Sequence, residues 1–359
     1  MKIIMLLQLG LILFAVTSFG QGPKGPLLYR DQGRIRIIPP SEVHKIIPRG
    51  SARITSSSIS RQPRSRRFQL IEYPGAAVTQ INKINANGDL VGHAVVVTSF
   101  DDQGNWLTWD QVGFKLTAAG FEKIDFPTSQ LASDVHLYGT IPMGLDNSGR
   151  IVGAYGTVFN EGGPEVIFHG FLFDQGQYTS LDSPVQLTRW TQANGVNTLG
   201  QIVGTFNEEQ LGPHGFLLNS GQWIQLDFPW PPNTDSGYTN ASDINDLGQI
   251  AGTYTGDQAI DLNRQHGFRL SNGVWEKIDF NGSSDAQTSV SGINNLGQFV
   301  GTANDQKQNL ISFFFDGASY HTLKVPGCAV TTVTSISDSG IAVGDCDQKG
   351  FIAKLNPSS

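Results

Sequence analysis

The side chains that could carry chemistry fall into four sets. Three histidines, His169, His214 and His266, each precede a Gly-Phe pair. Imidazoles at one repeated place are candidate metal ligands or acid–base groups. Acids recur as Asp125, Asp182, Asp227 and Asp279, with Glu72 at the matching place; Asp101, Asp102, Asp134 and Asp235 sit in stretches of irregular length. Two carboxylates about 5–10 Å apart could hydrolyse a glycosidic bond. Trp106, Trp109, Trp190 and Trp230 are four of the six tryptophans and share the irregular stretches with Arg189, Tyr238 and His136. Exposed aromatics beside polar groups suit carbohydrate or peptide binding. Cys328 and Cys346 are the only cysteines. They are expected to pair as a disulfide, as in a secreted protein, with two free, partly buried thiols as the alternative. Neither a G-x-S-x-G nucleophile elbow nor an H-E-x-x-H zinc motif is present.

What positions these groups is a repeat. Thr191 to Gly204, Thr239 to Gly252 and Thr288 to Gly301 are near copies, and Thr79 to Gly92, Thr140 to Gly153 and Thr331 to Gly344 are weaker ones. In each, a Thr lies five residues before an aliphatic residue, a Gly four after it, and a second Gly four later. Downstream come a Phe (Phe114, Phe171, Phe216, Phe268, Phe313, Phe351) and an aromatic three places before an aliphatic, as in Trp223 with Leu226 and Trp275 with Ile278. One unit reads as four strands: a over Thr239 to Asn245, b over Gln249 to Tyr254, c over His266 to Leu270 and d over Trp275 to Phe280. Asn or Asp caps the a–b turn and Gly accepts positive φ there. The turn glycines Gly88, Gly149, Gly200, Gly248, Gly297 and Gly340 are spaced by 61, 51, 48, 49 and 43 residues. Four strands in that length make a propeller blade. With 42 Gly and 15% charged residues, the composition also reads as all-β. A lone d strand, Phe68 to Tyr73, opens the array, and the last repeat stops at strand c, Phe351 to Leu355. The expectation is a six-bladed β-propeller of four-stranded antiparallel blades, closed by the N-terminal strand, which leaves no free edge.

The pattern resembles a family of extracellular repeat proteins named for a His-Ala-Phe tripeptide. The residues that carry the likeness are the H-G-F triplets at His169, His214 and His266 and the I-N-x-x-G-x-x-x-G runs at Ile84, Ile244 and Ile293. The likeness spans nearly all of residues 68–359 and fails at Ile311-Ser312-Phe313, Lys349-Gly350-Phe351 and Val112-Gly113-Phe114, where the His is lost. It implies a secreted or surface protein and no particular reaction.

In such blades the a–b and c–d turns share one face, and the b–c and d–a loops share the other. The first set is nearly constant in length. The second varies from Ala94–Val112 to Asp345–Gln348, both read as b–c loops. Variable loops on a rigid scaffold are where binding concentrates. The expected ligand-binding residues are therefore Trp106, Trp109, Arg189, Trp190, Trp230 and Tyr238, with packing over the blade rims as the alternative for each Trp. Trp223 and Trp275 recur as aromatics and belong to the core. Equivalent histidines of neighbouring blades stand on the order of 15 Å apart, given about 4.8 Å per strand. A zinc ion needs ligands at about 2 Å, so each His is read as holding a local backbone or Asp contact. No metal or cofactor is expected, because the Asn-Asp turns carry too few acids for a calcium shell.

The ends complete the reading. Met1 to Gly20, with Lys2 and the apolar run Ile3 to Val16, reads as a secretory signal peptide, the rival being an uncleaved membrane anchor. Residues 21–67 hold 11 Lys and Arg against Asp31 and Glu42, a charge of +9, whereas residues 68–359 hold 12 against 29 acids, −17. This is a basic, largely disordered arm on an acidic propeller repeat domain. It serves as a tether or as a polyanion-binding segment. The leading expectation is a secreted, monomeric binding or surface module for an extracellular glycan or protein, with no nucleic acid on the propeller. The alternatives are a polysaccharide-degrading enzyme using Asp101, Asp102, Asp134 or Asp235, and a purely structural coat protein.

Overall fold

The protein is described by a computed structural model, which covers residues 27–31, 34–38, 68–100, 106–159, 166–185, 188–208, 212–229, 237–255, 264–282, 287–304 and 309–355. Within the segment read as a disordered arm, β1 (Leu27–Asp31) and β2 (Arg34–Ile38) form an antiparallel hairpin that pairs Leu28 with Ile37. The signal segment and the rest of the arm lie outside the described residues.

The remaining strands build an all-β propeller of four-stranded antiparallel blades. After β3 (Phe68–Ile71) come β4 (Val78–Ile84), β5 (Leu90–Phe100), β6 (Trp106–Thr117), β7 (Gly120–Lys123), β8 (Val135–Leu145), β9 (Ile151–Phe159), β10 (Val166–Asp174) and β11 (Gln177–Leu181). These eight strands from β4 onward form one sheet. Its two antiparallel halves touch through a single parallel bridge, Gln111 to Gly139. The next sheets hold β12 (Thr188–Val196) to β15 (Gln222–Leu226), with β13 (Ile202–Glu208) and β14 (Gly212–Asn219) between, and β16 (Thr239–Ile244) to β19 (Val274–Ile278), with β17 (Ile250–Thr255) and β18 (Gln265–Ser271) between. Another joins β20 (Thr288–Ile293), β21 (Phe299–Asn304), β22 (Leu310–Phe315) and β23 (Tyr320–Leu323). The last runs β24 (Thr331–Ile336), β25 (Ile341–Cys346), β26 (Lys349–Lys354) and then β3, whose Phe68 and Ile71 face Ala353 and Gly350.

The recurring residues each satisfy a recurring bond. The recurring Thr of strand a accepts, at 2.8–3.1 Å, the backbone N–H of the residue two places past the recurring aliphatic residue of strand d: Tyr73 to Thr79, Phe126 to Thr140, Ser183 to Thr191, Phe228 to Thr239, Phe280 to Thr288 and Val325 to Thr331. It thereby fastens the outer strand of one sheet to the inner strand of the next. The second Gly sits under the Phe. A Cβ on Gly252 would stand 2.0 Å from the Asn240 carbonyl and 2.8 Å from the Phe268 ring, and the other copies are as tight. All six phenylalanines are fully buried. They anchor hydrophobic clusters shared between successive repeats, such as Val203 with Ile244 and Phe268, or Val343 with Ile81 and Phe114 at the seam between the last repeat and the first. Trp223 and Trp275 are half-buried and pack on Phe216 and Phe268 of their own sheets. Cys328 and Cys346 are joined by a disulfide, Cα atoms 5.4 Å apart, inside the cluster that holds Phe351.

Two features differ from the sequence reading. Ala94–Val112 is not a loop. β5 and β6 run on past the blade, pairing Val97 with Trp109 and Phe100 with Trp106, because the Val95–Val97 run favours extended backbone. Each a strand also carries a β-bulge, at Asn82, Met143, Asn194, Ser242, Ser291 and Thr334. A bulge re-aims its side chain. Here Asn82, Asn194, Ser291 and Thr334 donate to the carbonyls of Pro142, Ala241, Val333 and Ile81, each in the following repeat and the last across the seam.

Candidate functional site

The face bearing the a–b turns is occupied by its own bonding. In four copies the Asn that opens the turn (Asn85, Asn197, Asn245, Asn294) accepts two turn N–H groups on Oδ1 at 2.9–3.1 Å. Its Nδ2 donates to a carbonyl of the next turn, those of Asp146, Asn245, Asn294 and Ser337, at 2.9–3.2 Å. The second copy has Asp146, which cannot donate. Arg150 takes its place, bonding Asp146 Oδ2 at 2.7 Å and reaching the carbonyls of Asn197 and Thr198 at 3.2 and 2.7 Å. A second course runs outside the first: Thr198, Asp246 and Asn295 donate their backbone N–H to Asp246, Asn295 and Asp338. Burial opposes the charge on Asp246, but the Thr198 amide and hydroxyl and the Asn295 amide hold its carboxyl below the usual range.

These turns enclose an axial cavity of only about 50 Å³. Behind it the a strands touch one another around the axis, and Lys83 crosses to pair with the buried Asp243, which also accepts the amides of Ile244 and Ile293 at 2.9 Å. This pair escaped the sequence reading. Its one trace there is that the residue before the aliphatic is Gly144, Gly195, Gly292 or Ser335 in the other copies, so that Lys83 and Asp243 stand out as opposite charges three copies apart.

Among the described residues, the opposite end of the strands carries Trp109, Trp190 and Tyr238. Trp190 and Tyr238 each immediately precede the anchoring Thr, in successive repeats whose a strands are in contact. Both are half-buried, and burial pushes the Tyr238 hydroxyl up. The other copies place Val78, Gly139, Gln287 and Val330 there, so the aromatic pair is not a packing requirement of the fold. Trp109 is half-buried on the extended β5–β6 hairpin. Trp106 begins β6 and Arg189 lies within β12, but their side chains, and all of Trp230, fall outside the described residues. Asp134 is exposed; Asp101, Asp102 and Asp235 are also outside them.

The repeated His and Asp side chains bond to each other. His169, His214 and His266 meet Asp182, Asp227 and Asp279 through Nδ1 at 2.9, 2.9 and 2.6 Å. His169 Nε2 also lies 3.1 Å from Thr157 Oγ1, giving the order hydroxyl–imidazole–carboxylate of a nucleophilic triad. The exposure is inverted, however. Thr157 is 3% exposed whereas the Asp182 side chain is 51% exposed, so the hydroxyl has no route to a substrate and the Asp carries no buried charge. These pairs tie strand c to the end of strand d. Among the described residues no group of three or more His, Cys, Asp or Glu could hold a metal ion.

No protein-family model matches the chain, and no curated protein matches it. Solved propeller structures do. A catalytically inactive virginiamycin B lyase from Staphylococcus aureus, with quinupristin, is 7% identical over 80% of this chain and 99% of its own, with a TM-score of 0.42. A protein of unknown function from Dyadobacter fermentans is 11% identical over 81% and 98%, with a TM-score of 0.47. The six-bladed lectin of Aleuria aurantia is 12% identical over 68% and 77%, with a TM-score of 0.39.

Proposed function

We propose that the chain is a secreted, closed, six-bladed propeller that binds an extracellular glycan or protein on the face of its b–c and d–a loops. Counting each half of the eight-stranded sheet as one blade and taking β3 as the outer strand of the last supports the count. The His-Ala-Phe likeness and the N-terminal apolar run support export, with residues 21–67 as an arm ahead of the domain. One observation carries the choice of face. The a–b face spends its polar groups on its neighbours and its axis is blocked by Lys83 and Asp243, whereas Trp190 and Tyr238 stand on neighbouring a strands at a place where the other copies carry no aromatic.

A glycan array read beside a hydrolysis screen tests the reading. Binding without turnover is expected, and Trp190→Ala or Tyr238→Ala should weaken it about tenfold or more. Turnover would favour the hydrolase instead. Unchanged affinity in both variants, with loss on changing the a–b turns, would mean the ligand uses the other face.

A further inference from the structure

Two glutamines share strand or sheet faces with Trp190 and Tyr238 and have amides that the fold does not use. Gln192 lies two residues past Trp190 on β12. Trp190 pairs with Asn207 and Gln192 with Thr205, and the irregularities of β12 fall outside that stretch. Both side chains therefore leave the same face of the strand, about 7 Å apart. Gln192 is 7% exposed, and among the described residues its amide has no hydrogen bond. Gln265 stands in the row of Tyr238. Thr255 donates its N–H to the Tyr238 carbonyl at 3.0 Å and pairs with Gln265 on its other side, so the three side chains share one face of their sheet. Gln265 is 6% exposed, and its side-chain nitrogen meets no acceptor.

A buried amide without a partner forfeits its hydrogen bonds to water, so it marks a place where something other than the fold supplies them. The repeat does not explain these two. In three other copies the place of Gln192 is held by Gln80, Asn240 and Ser289, and each is bonded, to Asp345, Asn194 and Thr253. Gln111 fills the place of Gln265 in the first repeat and also has a spare side-chain nitrogen, but its row holds Val95 and Val78 and presents no ring. An aromatic ring with an amide on the same face suits a sugar, whose apolar side stacks on the ring while its hydroxyls both donate and accept. No charged side chain stands in these rows. The next row outward from Trp190 pairs Thr188 with Glu208, which disfavours an anionic sugar. An extended peptide would need a run of free backbone groups, and the Tyr238 N–H and carbonyl are both taken by Thr255.

We propose that Trp190 with Gln192, and Tyr238 with Gln265, form subsites for a neutral saccharide on neighbouring repeats, which rests on the choice of face proposed above. Gln192→Met and Gln265→Met test it, since each keeps the length of the side chain and removes the amide. Binding is measured on neutral hexose and N-acetylhexosamine oligosaccharides, on sialylated and sulfated ones, and on a peptide library, with the melting temperature recorded alongside. Each variant should bind the neutral sugars about tenfold more weakly and melt no lower than wild type, because the lost amide holds nothing in the fold. Gln111→Met should keep wild-type affinity. Unchanged affinity in both Met variants, with loss in Trp190→Ala, overturns the proposal and leaves the choice of face standing. A lower melting temperature in both variants shows amides that serve the fold and overturns it too. So does binding confined to the charged sugars or to peptides, or binding to none of the three probes.

Discussion

Lys83 and Asp243 meet across the axis of the ring, 160 residues apart in sequence and both withdrawn from solvent. They join the a strands of the first and fourth repeats, which share no sheet. Two inward charges fit here because Gly144, Gly195 and Gly292 leave room on the other inner strands.

Removing one partner should therefore be costly. Lys83→Met leaves Asp243 buried with two backbone amides and no countercharge, and should destabilise by about 3 kcal/mol. The double variant Lys83→Met with Asp243→Asn should recover much of the loss. Urea unfolding of the two variants makes the comparison.

The Asp146–Arg150 exchange predicts a coupled pair. Arg150→Gln alone should cost about 1–2 kcal/mol, since the second turn then has no donor toward the third. Combined with Asp146→Asn it recreates the Asn–Gln arrangement of Asn197 with Gln201, bonded at 2.8 Å, and should be close to neutral. A double-mutant cycle by thermal or chemical unfolding reads the coupling.

The two glycines of one repeat should respond differently. Gly248 has φ 73°, and a Cβ there would meet only Gln201 Oε1 at an ordinary 3.7 Å, so Gly248→Ala should cost about 1–2 kcal/mol of backbone strain. Gly252→Ala drives a methyl into a strand-a carbonyl and a buried Phe ring, and should cost about 3 kcal/mol or more. Comparing their denaturation midpoints checks the ranking.

His93 predicts acid sensitivity. Full burial pushes its imidazole down from the ordinary value near 6.5 to about 4, and Asn82 lies 3.3 Å from its Nδ1. The folded state holds the neutral ring, while the unfolded chain takes up a proton near pH 6.5. The contribution is whole above that pH and fades as pH falls toward 4, by a total on the order of 3 kcal/mol. His93→Gln should flatten the melting temperature between those two pH values. A slope unchanged from wild type would assign the acid response to other groups.

Reducing Cys328–Cys346 should lower stability by about 3 kcal/mol, the scale for a loop of this size. The sequence separation is 18 residues, and the bond sits in the last repeat, where the ring closes on the first. Melting with and without reductant measures it.

The repeat was legible because its bonds recur. Thr239, Asn245, Gly252 and Phe268 each meet the same need in every blade, so the same residue or a near substitute returns at that place. The turn glycines follow from φ alone. The bulges were hidden because their side chains vary from Asn to Ser, Thr and Met while the backbone deviation stays constant. The Lys83–Asp243 pair was hidden because it occurs once. The length of β5 and β6 was missed because the long span Ala94–Val112 read as one variable loop. The proposed ligand face rests only on a contrast in loop length and aromatic content, which names a side of the ring and no ligand.

The pairing of β3 with β26 also sets a clock. Glu72 meets Lys349 at 2.9 Å across a sequence separation of 277, and at about 5–20 residues per second of synthesis that separation takes tens of seconds. Each earlier sheet can complete from strands made one after another, but β3 is the first strand of the ring to be made and has no partner until the last repeat exists. Until then its edge is open to any other chain nearby. The moment of greatest risk in this protein's life is therefore the wait before its final strand arrives, and agents that hold extended segments apart should raise its yield more than agents that stabilise the finished ring.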